Sequence, residues 1–369
     1  MPAYKDEERG TWYVKFNYED WNGQKKTKLK RGFARKKDAL AFEAEFKSKY
    51  TGANTGMTMN TLLDLYIADC APRVKEVTLH QRKLLIDKHM RPWFGHMLAA
   101  EVKPVNVREW QTHCLSKEYK PGRYHSATAV STWHQILSSA FNFGVTFHGL
   151  KDNPAKLCGP PAKRSKRKKA IKHWTREQFE EYLNYVPRRE YRFLFTTLFY
   201  SGMRIGEALA LKQNDIDWEG STIRVDETYA ELPGKTVLQP PKTESSIRYI
   251  RMPEFYMQEL KAYLDWCYGL SEDDRIFFWA KHVSTVHDYF VMHQENTGLP
   301  RLTTHNLRDS HASLLIDMNM PVLMIADRLG HSDPSMTLKV YSHLYQAKHT
   351  ELADKLDEIK SVSNEYHES

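Results

Sequence analysis

Thr304-His305-Asn306-Leu307-Arg308, then Leu329-Gly330-His331-Ser332, then Met336-Thr337-Leu338-Lys339-Val340-Tyr341-Ser342-His343, is the stretch on which the reading of this chain turns. Two histidines, an arginine and a tyrosine recur there inside patterns that otherwise read as buried helix, and that mixture needs a reason. Imidazoles and a guanidinium can hold a phosphate from several sides, and a tyrosyl oxygen is a candidate nucleophile. Together they point to phosphoryl transfer. His305 and Arg308, three apart, are expected on one helix face, and His311 falls on it three residues later. Leu323, Ile325, Ala326 and Leu329 are expected to bury a short helix that ends at Gly330 and leaves His331 just past its end. Asp333-Pro334 opens the helix that carries Tyr341.

Working outward, Ser201-Gly202-Met203-Arg204-Ile205-Gly206-Glu207-Ala208-Leu209 supplies a further arginine. The apolar run 191–200 reads as a helix, Gly202 suits its left-handed end, and Arg204 falls at the junction with a second helix, with Glu207 near enough to orient it. A purely structural Arg-Glu pair is the alternative. In order, Ser-Gly-Met-Arg, His-x-x-Arg, Leu-Gly-His-Ser and a Tyr ten residues after that His resemble the tyrosine recombinase (phage integrase) family. Each motif is weak singly; their order over about 140 residues makes chance agreement improbable. The resemblance is strong from Trp174 onward and weaker before it, and His331 stands where the family holds a His or a Trp.

The resemblance implies a site made of Arg204, Lys242, His305, Arg308, His331 and Tyr341. Tyr341 would attack the scissile phosphate, leaving a 3′-phosphotyrosine link and a free 5′ hydroxyl; reversal with a partner strand completes exchange. Lys242, in Lys242-Thr243-Glu244-Ser245-Ser246, resembles the β-hairpin lysine that protonates the leaving oxygen, though by itself it reads as an ordinary surface lysine. His311 is read as structural, because the family pattern does not call on it. The chemistry also stands without the family. The transition state concentrates charge on nonbridging oxygens, so donors fixed in advance around them supply the main stabilisation. Arg204 and Arg308 offer forked, always-charged donors, while His305 and His331 can donate or take the proton of Tyr341. No acidic cluster of the kind that holds catalytic magnesium is evident, so neither metal nor cofactor is expected.

Composition bounds the partners. The chain has 369 residues with a formal net charge of +8, long enough for two or three domains and basic enough to favour a polyanion, though an anionic membrane surface fits the charge as well. A charged N-terminus without an apolar run behind it, and no apolar run of spanning length, exclude a secretory signal and a transmembrane helix. Cys70, Cys114, Cys158 and Cys267 are far apart and in no metal-ligand spacing, which suggests reduced cytosolic thiols; the resemblance implies the cytoplasm of a bacterial host.

The expected architecture is multidomain and mainly α with small β-sheets. In residues 1–55, Trp12, Val14 and Phe16 alternate with Tyr13 and Lys15, Asp20-Trp21-Asn22-Gly23 makes a turn, and a basic strand follows. Ala39, Phe42 and Phe46 then put a helix on one face of the sheet. Lys25, Lys26, Lys28 and Lys30 are candidate DNA contacts, as in β-sheet groove readers, or else a solvated basic face. The resemblance favours an arm-type DNA-binding domain. Residues 56–158 read as a helical domain with stripes Leu62, Leu65, Tyr66, Ala68, then Leu84, Leu85, Met90, then helices over 105–115 and 131–145, closed by Asn153-Pro154. In the family this position holds the core-binding domain. Residues 159–173 form a basic linker whose Lys163, Arg164, Lys166, Arg167, Lys168 and Lys169 suit the phosphate backbone, with a nuclear-localisation string as the alternative reading. Residues 174–360 make the α+β catalytic domain: a capped helix begins at Thr175, and strands are expected at 222–225 and 247–250.

Past the tyrosine, Leu352, Ala353, Leu356 and Ile359 stripe a charged segment before the tail at 361–369. The stripe must be buried, and packing on its own domain is one way; in the family such a segment docks on a neighbouring protomer, which implies a homotetramer on two double-stranded DNA sites of core and arm type. An excision factor and a host DNA-bending protein are further expected partners; a membrane is not. The function implied is site-specific integration and excision of a mobile element. The rivals are an inactive DNA-binding regulator on the same scaffold and a type IB topoisomerase-like relaxase. Retention of all six site residues argues against the first, and sequence-specific pairing of two sites would separate the second.

Overall fold

Alternation along one strand organises the N-terminal layer. The computed structural model describes residues 3–7, 9–19, 25–50, 56–161, 172–241, 246–335 and 338. In it β1 (Tyr4–Asp6), β2 (Thr11–Glu19) and β3 (Lys25–Phe33) pair in that order as an antiparallel sheet. Buried Val14 and Phe16 flank exposed Lys15 on β2, so one face of the sheet is apolar. α1 (Lys36–Tyr50) covers that face with Ala39, Phe42 and Phe46, the last with its ring centroid 5.1 Å from that of Phe16.

Register then divides the basic strand. Lys26, Lys28 and Lys30 oppose Tyr18, Phe16 and Val14, and directly opposed residues share a face. These three lysines therefore emerge on the helix-covered side, Lys28 with its Nζ 5.8 Å from the Phe46 ring centroid. Of the four expected DNA contacts on this strand, Lys25 alone lies on the open face. That face also carries Lys15, Leu29, the stacked Tyr4–Tyr13 pair and Arg31, whose guanidinium sits 5.3 Å from the Tyr13 centroid.

The helical segment comprises α2 (Met59–Cys70), α3 (Glu76–His89), α4 (Arg91–Phe94), α5 (Pro104–Ser116), the short strands β4 (Glu118–Lys120) and β5 (Arg123–Tyr124), α6 (Ala127–Phe147) and α7 (Pro154–Cys158). Thr58 and Ser126 cap α2 and α6 through their side-chain oxygens, satisfying donors the helices leave open. The α2 stripe is Met59, Leu62, Leu63, Tyr66, Ile67 and Cys70. Ala68, expected in it, is exposed, and so is Leu84 on α3, where Ile86 is buried instead. Each apolar residue lay one or two positions off the stripe that the helix turns inward. Asn153-Pro154 opens α7 rather than closing the segment: Asn153 Oδ1 accepts from Lys156 N–H at 2.9 Å, while Nδ2 donates to Ser138 O and Asn142 Oδ1, both at 2.8 Å. Arg82 and Arg91 bond within the segment, Arg82 to Cys70 Sγ at 2.9 Å and Arg91 to Asp87 at 2.7 Å and to Asp64.

The chain divides into two units, Met1–Lys166 and Arg167–Ser369. The second is built on α9 (Arg189–Ser201), which follows α8 (Arg176–Asn184) and its Thr175–Gln178 capping box. α9 is apolar on most sides, with Tyr191, Phe193, Leu194, Phe195, Leu198 and Phe199 buried, so it must be enclosed. α10 (Ile205–Ala210) follows, then β6 (Ile216–Asp217), β7 (Thr222–Val225), the hairpin β8 (Thr228–Leu232) and β9 (Lys235–Gln239), and β10 (Arg248–Arg251). The sheet order is β10-β7-β6, and the β8–β9 hairpin, absent from the sequence reading, pairs separately around Pro233-Gly234. α11 (Glu254–Trp266), α12 (Val283–Met292), α13 (Asn306–Asp317) and α14 (Val322–Leu329) complete the described part. α13 and α11 both pack on α9. Leu323, expected inside α14, is 69% exposed; Ile325, Ala326 and Leu329 carry the buried face.

Candidate active site

Two left-handed turns bring distant parts of the second unit together. α9 ends at Gly202 (φ 68°, ψ 16°), where a Cβ would stand 2.5 Å from His311 Cδ2 and 2.9 Å from Leu329 Cδ2. Only glycine meets both demands. Two residues on, Arg204 is the N-cap of α10: its backbone N–H donates to Glu207 Oε2 at 2.9 Å and its Nη1 to Glu207 Oε1 at 2.6 Å. The pairing foreseen between these residues is present, with Glu207 buried and Arg204 42% exposed at its side chain. Burial alone would raise the Glu207 pKa, but Arg248 and then Arg204 outweigh it and hold the group below the usual carboxylate value.

The second turn closes α14. Gly330 is left-handed (φ 67°), its N–H donating to Asp327 O at 2.8 Å and the N–H of His331 to Ala326 O at 2.9 Å, a Schellman-type ending. His331 is half-buried, and burial followed by the charges of Arg308, Arg204 and Arg248 pushes its pKa down to about 4. The imidazole is thus neutral at neutral pH. Arg308, in the first turn of α13, is buried, donating from Nη1 to Gly202 O at 2.7 Å and from Nη2 to Leu329 O at 2.5 Å.

Arg204, Arg308 and His331 are therefore brought together from α10, α13 and the end of α14. His305 precedes α13 and is exposed, its carbonyl accepting from Arg308 N–H at 3.1 Å. One turn apart, the two side chains take different environments rather than one shared face. Lys242, Tyr341, the linker residues Lys163, Arg164, Lys166, Arg167, Lys168 and Lys169, and the striped segment with Leu352, Ala353, Leu356 and Ile359 lie outside the described residues. Among the described residues no group of three or more His, Cys, Asp or Glu is arranged to hold a metal, and no helix is long and apolar enough to cross a membrane.

Three residues of this region were not singled out from the sequence. Arg248 is buried and donates from Nη2 to Glu207 Oε2 at 2.9 Å. Arg328 donates from Nε to His311 Nε2 at 3.0 Å, which places that imidazole's proton on Nδ1; burial, then Arg328, pushes the His311 pKa down to about 3. Tyr200 completes the surroundings, its carbonyl accepting from Arg328 Nη2 at 3.1 Å. Period-two placement of Arg248 beside apolar Tyr249 and Ile250 marks a strand but not which face is inward, so the sequence held only a weak signal for it.

Two arginines and a neutral histidine gathered at two helix ends make a cationic centre chemically suited to an anion, and comparison with known families states the class of the chain. Residues 170–348 match the phage integrase family, 2–50 an arm DNA-binding domain, and 58–115 the N-terminal SAM-like domain of phage integrases. The chain belongs to the tyrosine recombinase (phage integrase) family and is a site-specific integrase of a mobile element, an enzyme that cuts and rejoins DNA. It is similar to the ICEBs1 integrase of Bacillus subtilis (strain 168), 28% identical over 88% of this chain and 90% of that one. A XerC-like tyrosine recombinase of Caldanaerobacter subterraneus subsp. tengcongensis is 25% identical over 70% of this chain and 71% of its own. Among solved structures, the Tn1549 transposon integrase in complex with transposon right end DNA matches 80% of this chain and 100% of its own with a TM-score of 0.64 and 20% identity. A lambda integrase tetramer bound to a Holliday junction matches 92% of this chain and 94% of its own with a TM-score of 0.59 and 16% identity. These two likenesses show the shared fold.

Proposed function

We propose that cutting and rejoining run through Tyr341, whose oxygen bonds to the scissile phosphorus while the bond to the 5′ oxygen breaks. The tyrosyl proton passes to a neighbouring base, for which His331 is the candidate, and Lys242 supplies a proton to the departing 5′ oxygen. A 5′ hydroxyl of the partner strand then attacks the 3′-phosphotyrosine and restores tyrosine. The phosphoester bond energy is kept throughout, so no nucleotide cofactor is needed. Arg204, Arg308, His305 and His331 hold the nonbridging oxygens. The observation that carries this reading is the convergence of Arg204, Arg308 and a neutral His331 on one place from three separate elements.

The domain assignment follows the same reading. Residues 1–55 bind arm-type sites, through the open sheet face with Tyr13, Lys15, Lys25 and Arg31, while Lys26, Lys28 and Lys30, on the helix-covered side, are lesser contacts. Residues 56–158 bind the core site, 159–173 track the phosphates, 174–360 do the chemistry and carry the striped segment that docks on a neighbour, and 361–369 are the tail. Four protomers on two sites, an excision factor and a host DNA-bending protein complete the assembly, in the cytoplasm of a bacterial host; the four unpaired cysteines suit that compartment.

The test is a nicked core-site duplex on which the released fragment cannot religate. The unaltered protein is expected to accumulate a covalent adduct that survives denaturation, in excess chelator as in buffer, and Tyr341→Phe to bind the same DNA without forming it. An adduct with Tyr341→Phe removes that residue from the role, and strict chelator sensitivity points to a nuclease-type mechanism.

A further inference from the structure

We propose that Arg248 is a positioning residue of the phosphate clamp, a buried strut that aims Arg204 through Glu207 and holds the turn before His331; the assignment rests on the phosphotyrosine reading above. Its guanidinium spans three elements. From β10, Nη2 donates to Glu207 Oε2 on α10 at 2.9 Å, Nε to Arg328 O in the last turn of α14 at 2.8 Å, and Nη1 to Ser246 O at 3.2 Å. Glu207 Oε2 also accepts the Arg204 N–H, and Oε1 accepts Arg204 Nη1. One carboxylate thus joins an arginine open to solvent to one that is 6% exposed.

The asymmetry gives the pair its function. Arg204 must meet an incoming phosphate, so its own contact with Glu207 cannot be what keeps the carboxylate still. A second, enclosed cation does so, and keeps it charged in a site where burial opposes charge. At the other end, Arg328 O and Leu329 O are successive carbonyls of the α14 terminus; Arg248 takes the first and Arg308 the second. Gly330 lies against this strut, for a Cβ there would stand 3.1 Å from Arg248 Cδ and Nη1. The strand that Arg248 begins follows Lys242 by six residues in the chain. A lysine has one nitrogen on a flexible stem and cannot bridge these acceptors as the planar fork does.

The experiment uses the full chain with Arg248→Gln and Arg248→Lys, in single-turnover cleavage of two nicked core-site duplexes. One has the natural scissile phosphodiester; the other has a methylphosphonate, which lacks the negative nonbridging oxygen that the clamp stabilises. A misaimed clamp is expected to slow the phosphodiester roughly ten- to a hundredfold, the scale of a small misplacement, and the methylphosphonate far less, at unchanged DNA affinity. Arg248→Lys, which retains the charge, is expected between Arg248→Gln and the unaltered chain. A general loss of folded enzyme would slow both substrates alike, so equal losses, or unaltered rates in both variants, overturn the assignment. Should Arg248→Gln fail to fold, the substrate ratio of Arg248→Lys decides. An unaltered protein that forms no Tyr341 adduct overturns the phosphotyrosine reading and the assignment with it; adduct formation with unselective losses overturns the assignment alone.

Discussion

Arg308 donates to the carbonyl oxygen of Leu329 at 2.5 Å, and by the same guanidinium to Gly202 at 2.7 Å. The cation proposed to hold the phosphate is also the donor that ends two helices. Chemistry and folding are joined in this residue and separated in Arg204, whose side chain is 42% exposed.

Arg204→Ala and Arg308→Ala are each expected to slow cleavage about a hundredfold or more, as loss of a preorganised donor does. Their stabilities should differ. Arg308→Ala leaves two enclosed carbonyl groups without a donor and is expected to lower stability by ~2–4 kcal/mol, whereas Arg204→Ala should stay within about 1 kcal/mol. Urea titration of both variants alongside cleavage rates checks this; equal stabilities would mean the Arg308 contacts carry little energy.

Acid should weaken the second unit through its histidines. His331 and His311 have pKa values pushed down to about 4 and about 3, below the ordinary ~6.5, so between those limits the unfolded chain holds more protons than the folded one. Stability is therefore level above about pH 6.5 and falls as pH drops through that window. Comparing pH 7.5 with pH 5, His331→Gln is expected to lose less stability than the unaltered chain. Binding of core-site DNA should raise the His331 pKa, readable from its ring proton in NMR; a downward movement would place the phosphate elsewhere.

On the N-terminal sheet, register predicts which changes matter. Tyr13→Ala and Arg31→Glu alter the open face and should weaken arm-site DNA by tenfold or more, on the order of 1.4 kcal/mol or above. Lys28→Ala removes a cation held against Phe46 and is expected to have a smaller effect on binding. Fluorescence anisotropy on arm-site duplexes measures all three, and a larger loss for Lys28→Ala would reverse the assignment of faces.

Gly202→Ala should be far worse than Gly234→Ala, although both glycines are left-handed. At Gly234 (φ 73°) nothing lies within 4 Å of a new Cβ, leaving only the ~1 kcal/mol of conformational strain. At Gly202 the Cβ meets His311 and Leu329 as well, adding a steric penalty of ~1–3 kcal/mol. Thermal unfolding of the two variants compares them.

The family, the mainly helical architecture, the sheet-plus-helix N-terminal unit, the Thr175 cap, the left-handed end at Gly202, the helix stop at Gly330 and the Arg204–Glu207 pair were all legible in the sequence. Each depends on short-range chemistry: a period, a cap, a glycine, or two side chains three residues apart on one helix. What the sequence left open was long-range. Which of β3's lysines face the helix depends on its register with β2, and no property of 25–33 alone sets that. Ala68, Leu84 and Leu323 are apolar and helical, yet packing turned them outward, because hydrophobicity names candidates for burial and the neighbouring helix chooses among them. Arg248 looked like one more charge on a strand. Only the approach of α10 and α14 to β10, some forty residues before it in the chain and eighty after, made it a buried strut between a carboxylate and a helix end.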